Sequence, residues 1–357
     1  MIKLAPVIRA LRARNAEVEI LVTGQHVEMT DAMLHDRGLR ADFRVYAGSS
    51  TGGALIGYDQ SALDVLVGRI MSDCSYYVRD DYDLVLVQGD TASAFCGALL
   101  AFHHDIPIGH VEAGLRTSNL YEPFPEEMYR RAISRIATLH FAPTNRARNN
   151  LLVEKVDGKI EKTGNTIVDE LDRMIEEDAF KAAASNLESQ LGSARVVLVT
   201  CHRREHLQAR LNHLINAVRK IAMQRPDVLI VWPVHPNPLV GDEVRRGLSG
   251  QYANVHISGA LPYSEFLPLL QRAHVVVTDS GGVIEEATTL GRNLVITRDE
   301  TERPEAIQGH FARLVSLTEM TTLPDLVDFL LRNSVGGRSE IFGDGHAGER
   351  IAEIIMR

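Results

Sequence analysis

Several ionisable residues in this chain stand directly behind short apolar runs, where an ordinary solvent-facing role is hard to assign. Glu112 follows the run 106–111 and begins Glu112-Ala113-Gly114-Leu115-Arg116. A carboxylate entering from a buried strand needs a partner or a task, and proton transfer is one such task. Asp90, in Gln88-Gly89-Asp90-Thr91, combines a glycine turn with a helix start. It can serve as a base, or its oxygen can simply cap the helix. Glu126 and Glu127, after Pro123-Phe124-Pro125, open another helix. Acids in a first turn complement the helix dipole, which accounts for them without chemistry. Cys201-His202-Arg203-Arg204-Glu205 ends a further run with an imidazole and two guanidinium groups. His202 can exchange a proton near neutrality and the arginines can fork onto phosphate, although a single histidine is more often structural. His235 also ends a run, and Cys201 reads as a small apolar filler.

The strongest local signal is Asp279-Ser280-Gly281-Gly282-Val283-Ile284-Glu285-Glu286-Ala287. Two glycines let a backbone approach closely, and a serine hydroxyl with the free N–H groups of a helix start can bind a diphosphate. Glu286, one turn along, can reach a ribose diol as acids do in dinucleotide folds. An ordinary glycine-rich turn with a serine cap explains the same residues.

The elements that must carry these groups are short β-branched runs (18–23, 84–87, 106–111, 196–200, 229–234, 275–278 and 294–297) alternating with helical stretches. That alternation predicts parallel sheets covered by helices. The stretches 62–78 and 211–223 have apolar residues at three- and four-residue spacing, as helices lying on a sheet require. The rhythm restarts after Thr163-Gly164-Asn165-Thr166, with a long acidic helix over about 167–191. The expected class is therefore α/β, with two doubly wound Rossmann-like domains facing across a cleft: 1–166 with the acid–base residues, 167–343 for the nucleotide, and a helix in 344–357 returning to the first domain. Ligands of such sheets sit at the carboxyl ends of the strands. The chain opens with Leu4, Val7, Ile8 and Leu11 at helical spacing, so no strand precedes its first helix. A first strand is normally central in such a sheet, and without it the neighbouring strands stay unpaired, so either the protein starts further upstream or the sheet is rearranged.

With 47 acidic and 38 basic residues among 357, interspersed and netting −9, the chain has no basic face for nucleic acid or anionic membrane. Cys74, Cys96 and Cys201 are far apart, which suggests neither disulfides nor a zinc site and fits a reducing cytoplasm. The sequence contains no membrane-length apolar run and no signal-peptide pattern.

In order along the chain stand Lys3-Leu4-Ala5-Pro6, Thr23-Gly24-Gln25-His26, Gln88-Gly89-Asp90-Thr91, His110-Val111-Glu112-Ala113-Gly114-Leu115-Arg116-Thr117, Pro125-Glu126-Glu127, Thr163-Gly164-Asn165-Thr166, His202-Arg203-Arg204-Glu205, Pro233-Val234-His235, Asp279-Ser280-Gly281-Gly282 and Thr301-Glu302-Arg303-Pro304-Glu305. Together they resemble the non-hydrolysing UDP-N-acetylglucosamine 2-epimerases, isomerases with a two-domain, glycosyltransferase-B-like fold. The resemblance implies reversible interconversion of UDP-GlcNAc and UDP-ManNAc by elimination of UDP to a 2-acetamidoglucal and re-addition, with no cofactor and no metal. It implies Asp90, Glu112, Glu126 and His202 as acid–base residues. For the nucleotide-sugar it implies Lys3, Arg203, Ser280, Gly281 and Gly282, with Glu286 at the ribose and Phe266 near uracil beside Tyr263. Phe266, with Leu267 and Leu270, also reads as a core-facing stripe. A second, activating UDP-GlcNAc site would use Gln25, His26, Arg69, Arg204 and His235. A cytoplasmic homodimer supplying cell-surface polysaccharide synthesis is the corresponding setting.

The chain departs from the family pattern in several places. The opening strand and its arginine-bearing turn are absent, Tyr129 and Arg131 stand after the paired glutamates, and Cys201 replaces a glycine. Unless the protein starts further upstream, weak or absent activity is expected of a chain starting at Met1. The alternatives are a 2-epimerase of another UDP-2-acetamido sugar such as a diacetamido-uronate, a hydrolysing variant, a glycosyltransferase on the same fold, or a nucleotide-sugar-binding protein without catalysis.

Overall fold

The computed structural model describes residues 2–24, 33–46, 60–201, 207–234, 238–309, 312–333 and 336–357. The chain forms two compact units, Met1–Glu170 with Phe342–Arg357, and Leu171–Ile341.

The first unit contains α1 (Ala5–Arg12), β1 (Leu21–Gly24), β2 (Phe43–Tyr46), α2 (Gln60–Cys74), β3 (Val85–Gln88), α3 (Ala92–His103), β4 (Ile108–Val111), α4 (Glu126–Ile136), β5 (Leu139–Ala142), α5 (Asn145–Val153) and β6 (Lys159–Lys162). Strands β3, β4, β5 and β6 form one parallel sheet in that order, while β1 pairs with β2 in a separate parallel ladder. Among the described residues no ladder joins β1 to β3. Helix α1 packs in both cores. Its Ala5 and Ile8 pack with Ile20, Val22 and Leu34. Its Val7, Ala10 and Leu11 pack with Val111 and Phe141. Six of its eight residues are buried, so little of it is left for a polar face.

Helix α6 (Thr166–Glu176) leads out of this unit and is followed by α7 (Asp178–Leu191). The single helix expected over 167–191 is thus two helices, broken where Glu177 takes an extended backbone (ψ 140°). Asp169 of α6 accepts the N–H groups of Ala347 (3.2 Å) and Gly348 (2.7 Å). It thereby caps the final helix from outside, and burial raises its carboxyl pKa above the usual value. A Cβ on Gly348 would lie 2.8 Å from the Pro6 backbone, so glycine is what lets this helix lie against α1.

The second unit continues with β7 (Arg195–Thr200), α8 (Leu207–Gln224), β8 (Val228–Pro233), α9 (Pro238–Leu248), β9 (Val255–Ser258), α10 (Tyr263–Arg272), β10 (Val275–Thr278), α11 (Gly281–Thr289), β11 (Asn293–Ile296), α12 (Glu305–Gln308), β12 (Ala312–Leu314) and α13 (Leu323–Arg332). The last helix, α14 (Ala347–Ile355), belongs to the first unit. The sheet is parallel throughout, in the order β12-β11-β10-β7-β8-β9. Its core is aliphatic around Trp232, which is fully buried. The connections run one way from β7 to β9 and the other way from β10 to β12, so the topological switch lies between β7 and β10. A crevice opens at the carboxyl ends of such a pair.

On β4, His110 is fully buried, and burial pushes its imidazole down to about 4 from 6.5. Cross-strand His140 on β5 is lowered for the same reason. A neutral buried imidazole that charges only in the unfolded chain makes stability fall as pH drops below 6.5, with the loss from His110 complete near 4. Its share is about 3 kcal/mol. Urea unfolding followed by circular dichroism, compared at about pH 7.5 and about pH 5, checks this. His110→Gln keeps a donor for the Gly89 carbonyl and should flatten much of that slope; an undiminished slope would refute the assignment.

Candidate functional site

In the first unit the chemistry gathers where β3 and β4 end. Strand β4 is buried along its whole length, and Glu112 follows it with 8% exposure and a φ of 68°. A left-handed backbone is uncommon for a non-glycine residue, and its cost is tolerated where the surroundings fix it. Here the side chain is fixed from both sides: Lys3 donates to Oε1 and the Gln88 amide to Oε2. Lys3, expected to touch substrate, is thus a direct partner of the candidate base. Gly114 permits the next turn, since a Cβ there would lie 2.2 Å from the Ala147 carbonyl. Arg116 is taken up structurally. It forks onto Glu154 (2.8 and 2.9 Å), holding that carboxyl below its usual range, and also meets Ser134 at 2.9 Å.

Asp90 is not the helix cap. Thr91 caps α3, its hydroxyl accepting the Ala94 N–H at 3.2 Å. The Asp90 carboxylate instead accepts Nε (2.8 Å) and Nη2 (2.6 Å) of Arg130 through one oxygen, Oδ2. Glu126 opens α4 and is half-buried. Its neighbour Glu127, which the helix dipole alone would explain, is completely buried. It accepts Arg130 Nη1 (2.8 Å), Arg131 Nε (2.9 Å) and the Thr117 N–H (3.2 Å). The sequence signal for Glu127 was available: arginines three and four residues ahead on the same helix face.

In the second unit, Cys201 and Asp279 leave β7 and β10 on either side of the switch point. Cys201 is buried, and desolvation followed by the Asp279 charge raises its thiol pKa well above 9.0, which makes it an unreactive filler. Ser280 caps α11, accepting the Val283 N–H at 3.5 Å, while its own N–H reaches the Thr278 hydroxyl at 3.0 Å. The two glycines have separate jobs. A Cβ on Gly281 would lie 2.5 Å from Arg303 Nη1, whereas one on Gly282 would meet nothing within 4 Å. Gly281 therefore admits a guanidinium to the helix start, and Gly282 leaves open space there. Arg303 is held by Glu285 (2.5 Å) and Glu302, and Glu302 is paired to Arg298 (2.6 Å). Glu286 is 5% exposed and accepts the Tyr263 hydroxyl at 2.9 Å. Phe266 is half-buried on α10, while Leu267 and Leu270 are fully buried, so the expected apolar stripe consists of the leucines.

This arrangement offers a carboxylate between a lysine and an amide, a second carboxylate on a buried arginine, and, in the other unit, a helix N-terminus with a nearby guanidinium and a tyrosine-held carboxylate. The first unit can move protons, and the second can hold a phosphorylated diol. Gln25, His26, His202, Arg203, Arg204 and His235 lie outside the described residues, and Arg69 is exposed on α2. Among the described residues, no three His, Cys, Asp or Glu side chains are placed to hold a metal ion. No described helix is long and apolar enough to cross a membrane.

The sequence pattern of the family described as UDP-N-acetylglucosamine 2-epimerase matches residues 9–356. A relative in Ralstonia solanacearum is 39% identical over 368 residues, covering 99% of this chain and 95% of its own length. The UDP-N-acetylglucosamine 2-epimerase of Bacillus subtilis is 36% identical, covering 99% of this chain and 92% of its own. The crystal structure of UDP-GlcNAc 2-epimerase from Neisseria meningitidis bound to UDP-GlcNAc superposes with a TM-score of 0.89 at 32% identity, covering 99% of this chain and 96% of that one. A likeness in fold alone extends to a trehalose 6-phosphate synthase of Burkholderia multivorans (TM-score 0.52, 12% identity, 84% of this chain and 74% of that one). The chain therefore has the glycosyltransferase-B-like fold and belongs to the UDP-N-acetylglucosamine 2-epimerase family.

Proposed function

We propose that this protein is a non-hydrolysing 2-epimerase that interconverts UDP-GlcNAc and UDP-ManNAc. The observation carrying this reading is Glu112: a buried carboxylate at the end of a parallel strand, forced to positive φ and gripped by Lys3 and Gln88, in a chain that matches the epimerase family over 9–356.

The C2 proton of the sugar is not acidic enough for direct exchange, so the reaction runs by elimination. The C2–H bond breaks with its proton passing to a protein base, the C1–O bond breaks with UDP leaving, and C1 and C2 become doubly bonded. Re-addition of UDP, with a proton delivered to the opposite face of C2, gives the epimer. Bases and acids on both faces are therefore needed. Asp90, Glu112, Glu126 and His202 are assigned to that work. Lys3 and Arg203 are assigned to the nucleotide-sugar. Ser280, Gly281 and Gly282 receive the diphosphate, supported by the helix N-terminus and by the Arg303 charge beside it. Glu286, oriented by Tyr263, takes the ribose, and Phe266 borders the uracil. Gln25, His26, Arg69, Arg204 and His235 form the proposed activating site. A homodimer is the proposed assembly. Three buried free thiols are in keeping with a cytoplasmic setting.

Proton NMR with UDP-GlcNAc in deuterated water tests the reaction: the C2 proton signal should disappear as UDP-ManNAc grows in. UDP binding without exchange would reduce the protein to a nucleotide-sugar binder, and free ManNAc would make it a hydrolase. Glu112→Gln should lower exchange by about 100- to 10,000-fold. Gly282→Ala separates binding from folding. Its methyl enters open space in the protein, so the thermal midpoint should hold, while calorimetry should show UDP affinity falling roughly tenfold or more as the diphosphate is crowded. An unchanged affinity would remove α11 from the nucleotide site.

A further inference from the structure

We infer that Arg130 is a positioning residue for Asp90, and that the buried Glu127, itself balanced by Arg131, is what fixes Arg130 in that task. The inference rests on the reading that Asp90 handles a proton in the epimerisation.

The geometry begins with Asp90 being released from capping duty by Thr91. Both recorded bonds from Arg130 fall on Oδ2, so Oδ1 is the oxygen offered to a reactant. Arg130 is 3% exposed and Glu127 0%. At that depth an uncompensated charge is costly, and each of the two needs the other. Glu127 alone would neutralise Arg130 and leave Asp90 a weak competitor for it. Arg131 removes that competition: its Nε occupies the second oxygen of Glu127 at 2.9 Å. Asp90, Arg130, Glu127 and Arg131 thus alternate in sign along one line, two carboxylates matched by two guanidiniums. This gives Arg131, which departs from the family pattern, a physical role.

Two further contacts fix the line in space. Tyr129 stacks on Phe95 of α3 (centroids 4.9 Å apart, planes 14°), tying the helix that carries Arg130 to the helix that Asp90 precedes. Glu127 and Arg131 also hold both backbone groups of Thr117, at 3.2 and 3.1 Å, and the Thr117 hydroxyl reaches the Glu122 carbonyl at 2.5 Å. The segment between Glu112 and Glu126 therefore hangs on the same array. A loss of activity on removing Arg130 could come from that segment rather than from Asp90, so the test has to separate the two.

The experiment measures kcat and KM for UDP-GlcNAc, C2 exchange and thermal midpoint for Asp90→Asn, Arg130→Gln, Glu127→Gln/Arg130→Gln and Asp90→Asn/Arg130→Gln. Arg130→Gln should lower kcat about 100-fold, the scale of a misplaced catalytic group, and lower the midpoint because Glu127 loses its buried partner. Glu127→Gln/Arg130→Gln replaces the ion pair by two amides and should regain much of the midpoint, with KM within about threefold of the parent and kcat still low. On the Asp90→Asn background, Arg130→Gln should cost little more. Recovery of kcat along with the midpoint in the paired variant overturns the inference, as does an equal cost of Arg130→Gln with and without Asp90. Asp90→Asn turning over at the parent rate would instead refute the proton-handling reading on which the inference rests.

Discussion

Glu112 stands at the end of a strand whose four residues are all buried, and its carboxylate must be compensated at the point where the strand stops. The compensation comes from distant sequence: Lys3 at the start of the chain and Gln88 at the end of the neighbouring strand. That requirement explains much of the first unit. The short helical turn carrying Lys3 leads into α1, and α1 is held by packing against two cores and by its Arg9 reaching the buried Glu170. Arg37 meets the same carboxylate at 3.3 Å. A small shift of α1 would disturb Lys3 and Arg9 together, leaving buried carboxylates short of charge, a state that costs several kcal/mol per ion. The glycine contact between Pro6 and Gly348 and the capping of α14 by Asp169 hold α1 in place from its other side.

The same rule, that a buried acid needs a fixed cation, recurs in the second unit with a different consequence. Glu285 and Glu302 are buried and hold Arg303, whose guanidinium is thereby pressed against Gly281 at the start of α11. Glu286, one residue along the helix, faces Tyr263 instead. Adjacent glutamates on one helix thus point to different partners, one securing a cation at the helix start and the other presenting an oriented carboxylate. Placing that helix directly after β10, beside the switch point with β7, puts both where a parallel sheet leaves a crevice.

Much of this was legible in the sequence because the signals are local. Short β-branched runs named β1, β3, β4, β7, β8, β10 and β11 but not β2, β5, β6, β9 or β12, the glycine pair named the helix start after β10, and the position of Glu112 behind an apolar run named a buried acid. Less was legible where a pattern had two physical readings. Asp90 looked as much like a cap as a base until Thr91 took the cap. Glu127 looked like a dipole complement because its burial depends on Thr117 and Arg131 closing over it, a tertiary fact. The helix over 167–191 looked continuous because no proline or glycine marks Glu177, where the backbone turns extended.

Among the described residues the β1–β2 ladder is not hydrogen-bonded to the β3–β6 sheet, and α1 packs against the apolar groups of both. The Thr23 hydroxyl also meets that of Ser93 on α3. The candidate acid–base residues Glu112 and Asp90 stand just beyond the ends of β4 and β3, which are paired residue by residue. Their placement rests on the paired strands and on the charge pairs at the sheet's edge.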